Sequence, residues 1–169
     1  MIDFSDGVPA DAPELDAMAQ IIWIATFGHS CSEEDRLAYF ATAYGPDGAL
    51  TRDLASPVHR FRVARASGAI MGYAKLGPAW LDMAMPGDLQ LSQLYVAEDW
   101  HGKGISEVLM NWVVETARAD GATALLLTVW EHNARAIRFY ERHGFVHVAD
   151  YAFAVGDQVD RDLILRRPL

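Results

Sequence analysis

Two hydrophobic rhythms alternate along the chain, and the places where one gives way to the other mark its elements. Leu15, Met18, Ala19, Ile22 and Trp23 recur at helical spacing behind Asp11, an N-cap candidate, and Pro13 in the first turn, which predicts a helix ending near Gly28-His29-Ser30. Ser32 ahead of Glu33, Glu34 and Asp35 opens a second helix with Leu37, Phe40 and Ala41 inward, stopped by Gly45-Pro46-Asp47-Gly48. Residues 50–55 add a further turn or two. The rhythm then becomes extended: 59–64 and 69–76 flank Ser67-Gly68 as a hairpin, and 89–96 reads as a strand near the middle of a sheet. Ile105, Val108, Leu109, Trp112, Val113, Thr116 and Ala117 return to helical spacing until Gly121. The run 124–130 is apolar throughout, as suits a strand covered on both faces, and the helix before it predicts a parallel crossover. Asn133 caps a helix with Ala136, Ile137 and Tyr140 on one side and Gly144 as its stop, and 145–155 with 158–165 close the sheet. With a faint strand at 2–8, the expectation is an α/β fold, a mixed sheet with helices on both faces, in one domain over residues 1–169.

The junction between 89–96 and the next helix carries the first chemistry. His101-Gly102-Lys103-Gly104-Ile105-Ser106 puts two glycines where a strand end becomes a helix start, so backbone amides can approach a ligand closely, and Lys103 adds a positive charge. A phosphorylated cofactor is the ligand such a turn suits. A P-loop would need glycine at Ala97 and Ser or Thr at Gly104, and the dinucleotide fingerprint would need glycine at Glu107.

The segment resembles motif A of the GNAT N-acetyltransferases, a Gln/Arg-x-x-Gly-x-Gly/Ala turn, with His101 in the first position, Gly104 retained and Ser106 in the last. A second stretch resembles the same family: Asn133, Ala136, Phe139, Tyr140, Gly144 and Phe145 match its Asn-x-x-Ala-x-x-Phe-Tyr-x-x-x-Gly-Phe. The resemblance covers most of the chain. It implies a mostly antiparallel sheet whose central parallel strands splay apart and acetyl-CoA as cosubstrate, with its pyrophosphate on residues 101–106. It also implies that the pantetheine arm lies on backbone groups of Leu94 and Val96, that Asn133, Ala136 and Phe139 border the cofactor, and that Tyr140 is the acid for the departing thiolate. The end A-F-A-V-G-D-Q-V-D-R-D-L-I-L-R-R-P-L and T-F-G-H-S-C-S-E-E-D-R-L-A-Y-F near the start resemble the PaiA-type spermidine/spermine acetyltransferases, which implies a small amine or polyamine acceptor. Gln90 and Ser92 stand where that branch tends to carry glutamates, so the base and the polyamine preference stay open.

Acetyl transfer to an amine needs a polarised carbonyl, an uncharged nitrogen and a proton for the thiolate. The Val96 N–H can serve the first. For the third, a phenol of pKa about 10 faces a thiol of about 8.5–10, a nearly balanced transfer. An alkylammonium of pKa about 10 must lose a proton, and Glu98, Glu131, Asp82 and His29 are the candidate bases. Tyr140 can equally be a core residue, and Asn133 only a cap. Cys31 lacks a neighbouring base and reads as an ordinary loop thiol. His143 and His147 straddle Gly144 and cannot form a helical metal pair, so no metal is expected. Trp80, Trp100 and Trp130 are core or pocket residues.

Composition narrows the setting. A lone cysteine, an acidic start and no apolar run near the roughly 20 residues of a membrane span lead to the expectation of a cytoplasmic protein without membrane attachment. A net charge of −9 disfavours nucleic acid as a partner and weakly favours cationic substrates, while a homodimer is left open. A peptide N-terminus is the alternative acceptor, and a non-catalytic acetyl-CoA sensor the alternative of a different class.

Overall fold

The computed structural model describes residues 1–169. Seven strands form one sheet: β1 (Ile2–Asp6), β2 (Arg60–Ala66), β3 (Ala69–Pro78), β4 (Asp88–Val96), β5 (Ala124–Trp130), β6 (Val146–Val155) and β7 (Gln158–Pro168), in the order β1-β2-β3-β4-β5-β7-β6. Only β4 and β5 run parallel. Helices α1 (Ala12–Phe27), α2 (Glu33–Ala43) and α3 (Ala49–Leu54) cover one face, around a cluster that includes Leu15, Trp23, Phe40, Phe61, Val63 and Tyr73. The other face carries α4 (Ile105–Ala119) and α5 (Ala134–Arg142) over Leu91, Leu109, Met110, Val113, Leu125, Leu127 and Phe145. Ser67 at φ +51° and Gly68 at +86° make the two-residue turn between β2 and β3, the left-handed pair that matches strand twist. No helix is long and apolar enough to cross a membrane.

Three details differ from the sequence reading. Asp11 stands at the N-cap position of α1 but does not cap it: its carboxylate accepts from the Val8 amide at 3.1 Å and pairs with Arg65, because a 3-10 turn at Pro9–Asp11 already leads into the helix. On α2, Leu37 is 57 % exposed and Ala41 is also outside, whereas Tyr39 and Phe40 turn inward. Their rings pack on Trp23, so aromatic contact rotates the buried face. Val108 of α4 is exposed, and Met110 and Val114 fill the sheet-facing side instead. Ser32 and Asn133 do cap their helices, through Asp35 N–H at 3.1 Å and Ala136 N–H at 3.2 Å.

The centre of the sheet is the feature that positions the site. Strands β4 and β5 pair over Asp88–Gln90 and Ala124–Leu126 only, then separate. Buried Asp88 anchors the joined end by accepting from Met85 N–H at 3.1 Å, Thr123 Oγ1 at 3.0 Å and Arg166 at 3.2 Å. Burial opposes its charge, but these donors hold the carboxyl below its ordinary value. Just beyond, Lys75 faces Gln93 while Leu76 faces Leu91, so Ser92 is an extra residue in β4. A bulge of this kind bends a strand and increases its twist, and here it leaves the outer half of β4 without a partner on the β5 side.

Candidate functional site

The Ala97 amide donates to Met71 O at 2.9 Å, which sets the parity of β4. Main-chain groups of Tyr95 therefore face β3, and those of Leu94 and Val96 face the gap where β5 has moved away. The Val96 carbonyl already accepts from His101 Nε2 at 2.9 Å, while Arg135 of α5 lies 2.6 Å from His101 Nδ1. The His101 side chain thus ties the end of β4 to α5, and what it offers a ligand is its place in the turn.

After a 3-10 turn at Glu98–Trp100, Gly102 and Gly104 adopt left-handed φ values of +74° and +81°. A Cβ on either would point into open space, so the hollow of the turn is lined by backbone. The amides from Gly102 to Glu107 donate to no other protein group, and the first helical bond is Val108 N–H to Gly104 O at 3.2 Å. Ile105 is buried at 2 % exposure and contributes only its amide, with Ser106 beside it half-buried. Lys103 rests over Trp100, its Nζ 4.4 Å from the ring centroid. Several free N–H groups at a helix start, flanked by Lys103 and Arg135, fit a pyrophosphate. Arg135 is a cation the sequence reading passed over, because only the approach of α5 to the turn makes it a neighbour.

On α5, Asn133 uses its carboxamide as the cap, and Ala136 and Phe139 are partly buried against the core. Tyr140 packs edge-on between Phe139 and Phe145, with centroids 5.5 and 5.8 Å away, and is 9 % exposed. Burial pushes its phenol well above the ordinary value, which corrects the nearly balanced transfer argued from free amino-acid values. The phenol stays protonated across the physiological range, the form an acid needs. For any acid of this kind, the difference between its value and that of the group it protonates matters rather than either value alone.

The opposite mouth of the gap is aromatic. Trp130, Phe27, Phe153 and Tyr39 contact one another there, with ring centroids 5.1 to 6.1 Å apart, and His29 lies 5.1 Å from Trp130. Ser30 Oγ donates to Phe27 O at 2.8 Å and lies 3.3 Å from the Asp160 carboxylate, which brings the α1–α2 loop against β7. Next along the same face of β7 is Asp162, in register with Trp130 of β5 and Tyr151 of β6. Asp162 is 5 % exposed, and its Oδ1 is sealed from solvent without a hydrogen-bond partner. Burial, and then the neighbouring Asp160, push its carboxyl up to about 7. Tyr95, on the same side of β4, is raised by burial and by the nearby Tyr39, Tyr140 and Asp162, so phenol and carboxyl approach the gap from its two sides.

The structure does not gather the expected bases here. Glu131 pairs with Arg161 at 2.8 Å, and Asp82 and Glu98 are exposed in turns outside the gap. Only His29 lies at the aromatic mouth. His143 and His147 part company, reaching Glu107 and Asp150 at 2.8 Å each. Cys31 is half-buried against the α1–α2 cluster, and Trp80 is 54 % exposed beside Tyr151. Asp162 escaped notice because V-D-R-D-L reads as an ordinary half-exposed strand; its signal is two acids, Asp160 and Asp162, on the face that continues into apolar Ile164.

A raised carboxyl carries a stability cost with a definite sign. Between about pH 4, the ordinary carboxylate range, and about 7, the folded chain keeps a proton the unfolded chain has released, so stability falls as pH rises through that window. Asp162→Asn is expected to be more stable than wild type by roughly 1–2 kcal/mol at pH 8, allowing for solvent screening at the pocket, with little difference near pH 4. Urea unfolding at both pH values checks this, and a gain independent of pH would rule out the carboxylate as its cause.

Known proteins share this architecture. Residues 15–145 match the Acetyltransferase (GNAT) family. An uncharacterized N-acetyltransferase of Mycobacterium tuberculosis is 32% identical over 162 residues, covering 94% of this chain and 98% of that protein. The N-alpha-acetyltransferase RimI of the same organism is 28% identical over 118 residues, 70% of this chain and 72% of that one. Among solved structures, the PaiA N-acetyltransferase of Thermoplasma acidophilum in complex with coenzyme A superposes with a TM-score of 0.77 at 19% identity, covering 100% of this chain and 99% of that one. A family match running from the first helix to the end of α5, with a relative similar along nearly the whole length, shows that the chain belongs to the GNAT family of N-acetyltransferases, enzymes that act with acetyl-CoA.

Proposed function

We propose that this protein transfers the acetyl group of acetyl-CoA to a primary amine of a small cationic molecule, a polyamine being the model acceptor, by direct transfer in a ternary complex in the cytoplasm. The observation that carries the proposal is the gap between β4 and β5, with free turn amides at one end, Tyr140 on one side and an aromatic, acidic mouth on the other. In this reading the amides of Gly102 to Ser106, with Lys103 and Arg135, hold the pyrophosphate. Leu94 and Val96 hold the pantetheine arm by their main-chain groups. The Val96 N–H points where a thioester carbonyl would develop charge, and Tyr140 protonates the departing sulfur. The amine enters from the side of the α1–α2 loop.

A panel of amines assayed with acetyl-CoA and a free-thiol readout tests the proposal. Asp160 meets Ser30 of the α1–α2 loop, and Glu33, Glu34 and Asp35 follow that loop in the first turn of α2, so in this reading the amine enters from an acidic side. Spermidine is therefore expected to react on the order of tenfold faster than a neutral amine at low salt, with the advantage shrinking as the Debye length falls to about 10 Å at 0.1 M. Equal rates at low salt would sink the cationic preference. The similarity to an N-alpha-acetyltransferase supports a second reading, a peptide N-terminus as acceptor, and a peptide with a free α-amine belongs in the same panel.

A further inference from the structure

Resting on the amine-acceptor reading above, we infer that Asp162 is the proton acceptor that neutralises the incoming ammonium group, and that its carboxylate is the acceptor subsite's anchor for that cation. Two buried carboxylates, Asp16 and Asp162, each leave one oxygen without a partner, a costly state, but Asp16 accepts from the Gly45 amide through its other oxygen whereas the Asp162 carboxylate makes no hydrogen bond at all, so a ligand with N–H groups and positive charge would relieve it. The geometry supplies one path to it. Asp162 lies on the acceptor face between Trp130 and Tyr151, at the strand level where β4 and β5 have separated. The aromatic rings of Trp130, Phe27, Phe153 and Tyr39 form a wall of the kind that favours an alkylammonium. The titratable groups beside it are Asp160 from its own strand, Tyr95 from β4 and Tyr151 from β6, with Tyr39 of α2 and His29 of the α1–α2 loop in contact with the aromatic wall. Glu131 and Arg161 pair with each other on the opposite face.

The proton count closes with these residues. The carboxylate of Asp162 takes one proton from R–NH3+, leaving R–NH2 with a free electron pair. That pair attacks the thioester carbonyl carbon and the C–S bond breaks. The departing sulfur takes a proton from Tyr140, and the second proton shed by nitrogen restores the phenol. Asp162 then releases its proton to solvent, giving the amide, the free thiol and one H+. A carboxyl titrating near neutrality suits this step, because it is a stronger base than an ordinary aspartate yet still ionised in part of the population at pH 7.

The test compares wild type and Asp162→Asn in single-turnover acetylation of spermidine, whose amines are protonated at pH 7, and of trifluoroethylamine, whose pKa below about 6 leaves it neutral. Asp162→Asn is expected to lose about a hundredfold toward spermidine and less than about threefold toward trifluoroethylamine, and the ascending limb near pH 7 of the wild-type rate for spermidine should vanish. Equal losses for both amines would reduce Asp162 to a structural role, and an unchanged spermidine rate would overturn the inference outright. If wild type acetylates neither amine, the small-amine reading fails. The carboxyl 13C titration of Asp162 then decides this inference separately: a midpoint near neutrality that moves on adding spermidine supports it, and an ordinary carboxylate midpoint overturns it.

Discussion

Tyr140→Phe is expected to slow the chemical step by about 10²–10⁴, or roughly 3–5 kcal/mol of barrier, while acetyl-CoA affinity stays within a few-fold. The change removes one hydroxyl and keeps the ring, so the edge-on contacts with Phe139 and Phe145 and the buried position on α5 survive. What disappears is a phenol held protonated by its surroundings at the side of the gap. Without it the sulfur leaves as an unprotonated thiolate or depends on water for its proton. The comparison belongs in single-turnover kinetics, since slow product release can hide a change in chemistry. Rates agreeing within about threefold would remove Tyr140 from proton transfer. The same result, coupled with intact acetyl-CoA binding and no acceptor in the amine panel, would favour a binding role over catalysis.

Gly104→Val is expected to weaken acetyl-CoA at least tenfold, about 1.4 kcal/mol, by filling the hollow of the turn from the residue that opens α4. A Cβ at this position touches nothing within 4 Å in the protein, so the loss is to be read against a ligand and not against the fold. The φ of +81° adds backbone strain that must be separated from the steric effect. Gly121→Val supplies the control: Gly121 follows the end of α4 with φ +76° and equally empty surroundings, away from the turn. Calorimetry on both folded variants should show the affinity loss at Gly104 alone. Unchanged affinity in Gly104→Val would move the pyrophosphate elsewhere.

These two residues also mark what can be read from the letters. Gly104 and Tyr140 sit in contiguous motifs, where a turn or one helical face brings the relevant groups together, so local spacing suffices. The strands and helices were legible for the same reason, down to the Ser32 and Asn133 caps. The errors fall where a partner distant in sequence chooses among local options. Trp23 rotates α2 so that Tyr39 and not Leu37 is inside, and Arg65 with the Val8 amide diverts Asp11 from capping. Asp162 is the extreme case. Its burial and orphaned oxygen are made by β5, β6 and the α1–α2 loop together, and nothing in V-D-R-D-L announces them.

The last strand in the chain lies inside the sheet. Because β7 is inserted between β5 and β6, a growing polypeptide that has emerged only through β6 leaves one edge of β5 unpaired, with just three residue pairs joining β5 to β4 on the other. The two halves of the sheet can therefore gather early but are fastened late, by the non-local pairings that cost the most loop entropy. Truncation before Gln158 would leave the apolar β5 as an exposed template for other chains, so aggregation during synthesis, and not gradual loss of activity, is the failure that damage to this end of the protein should produce.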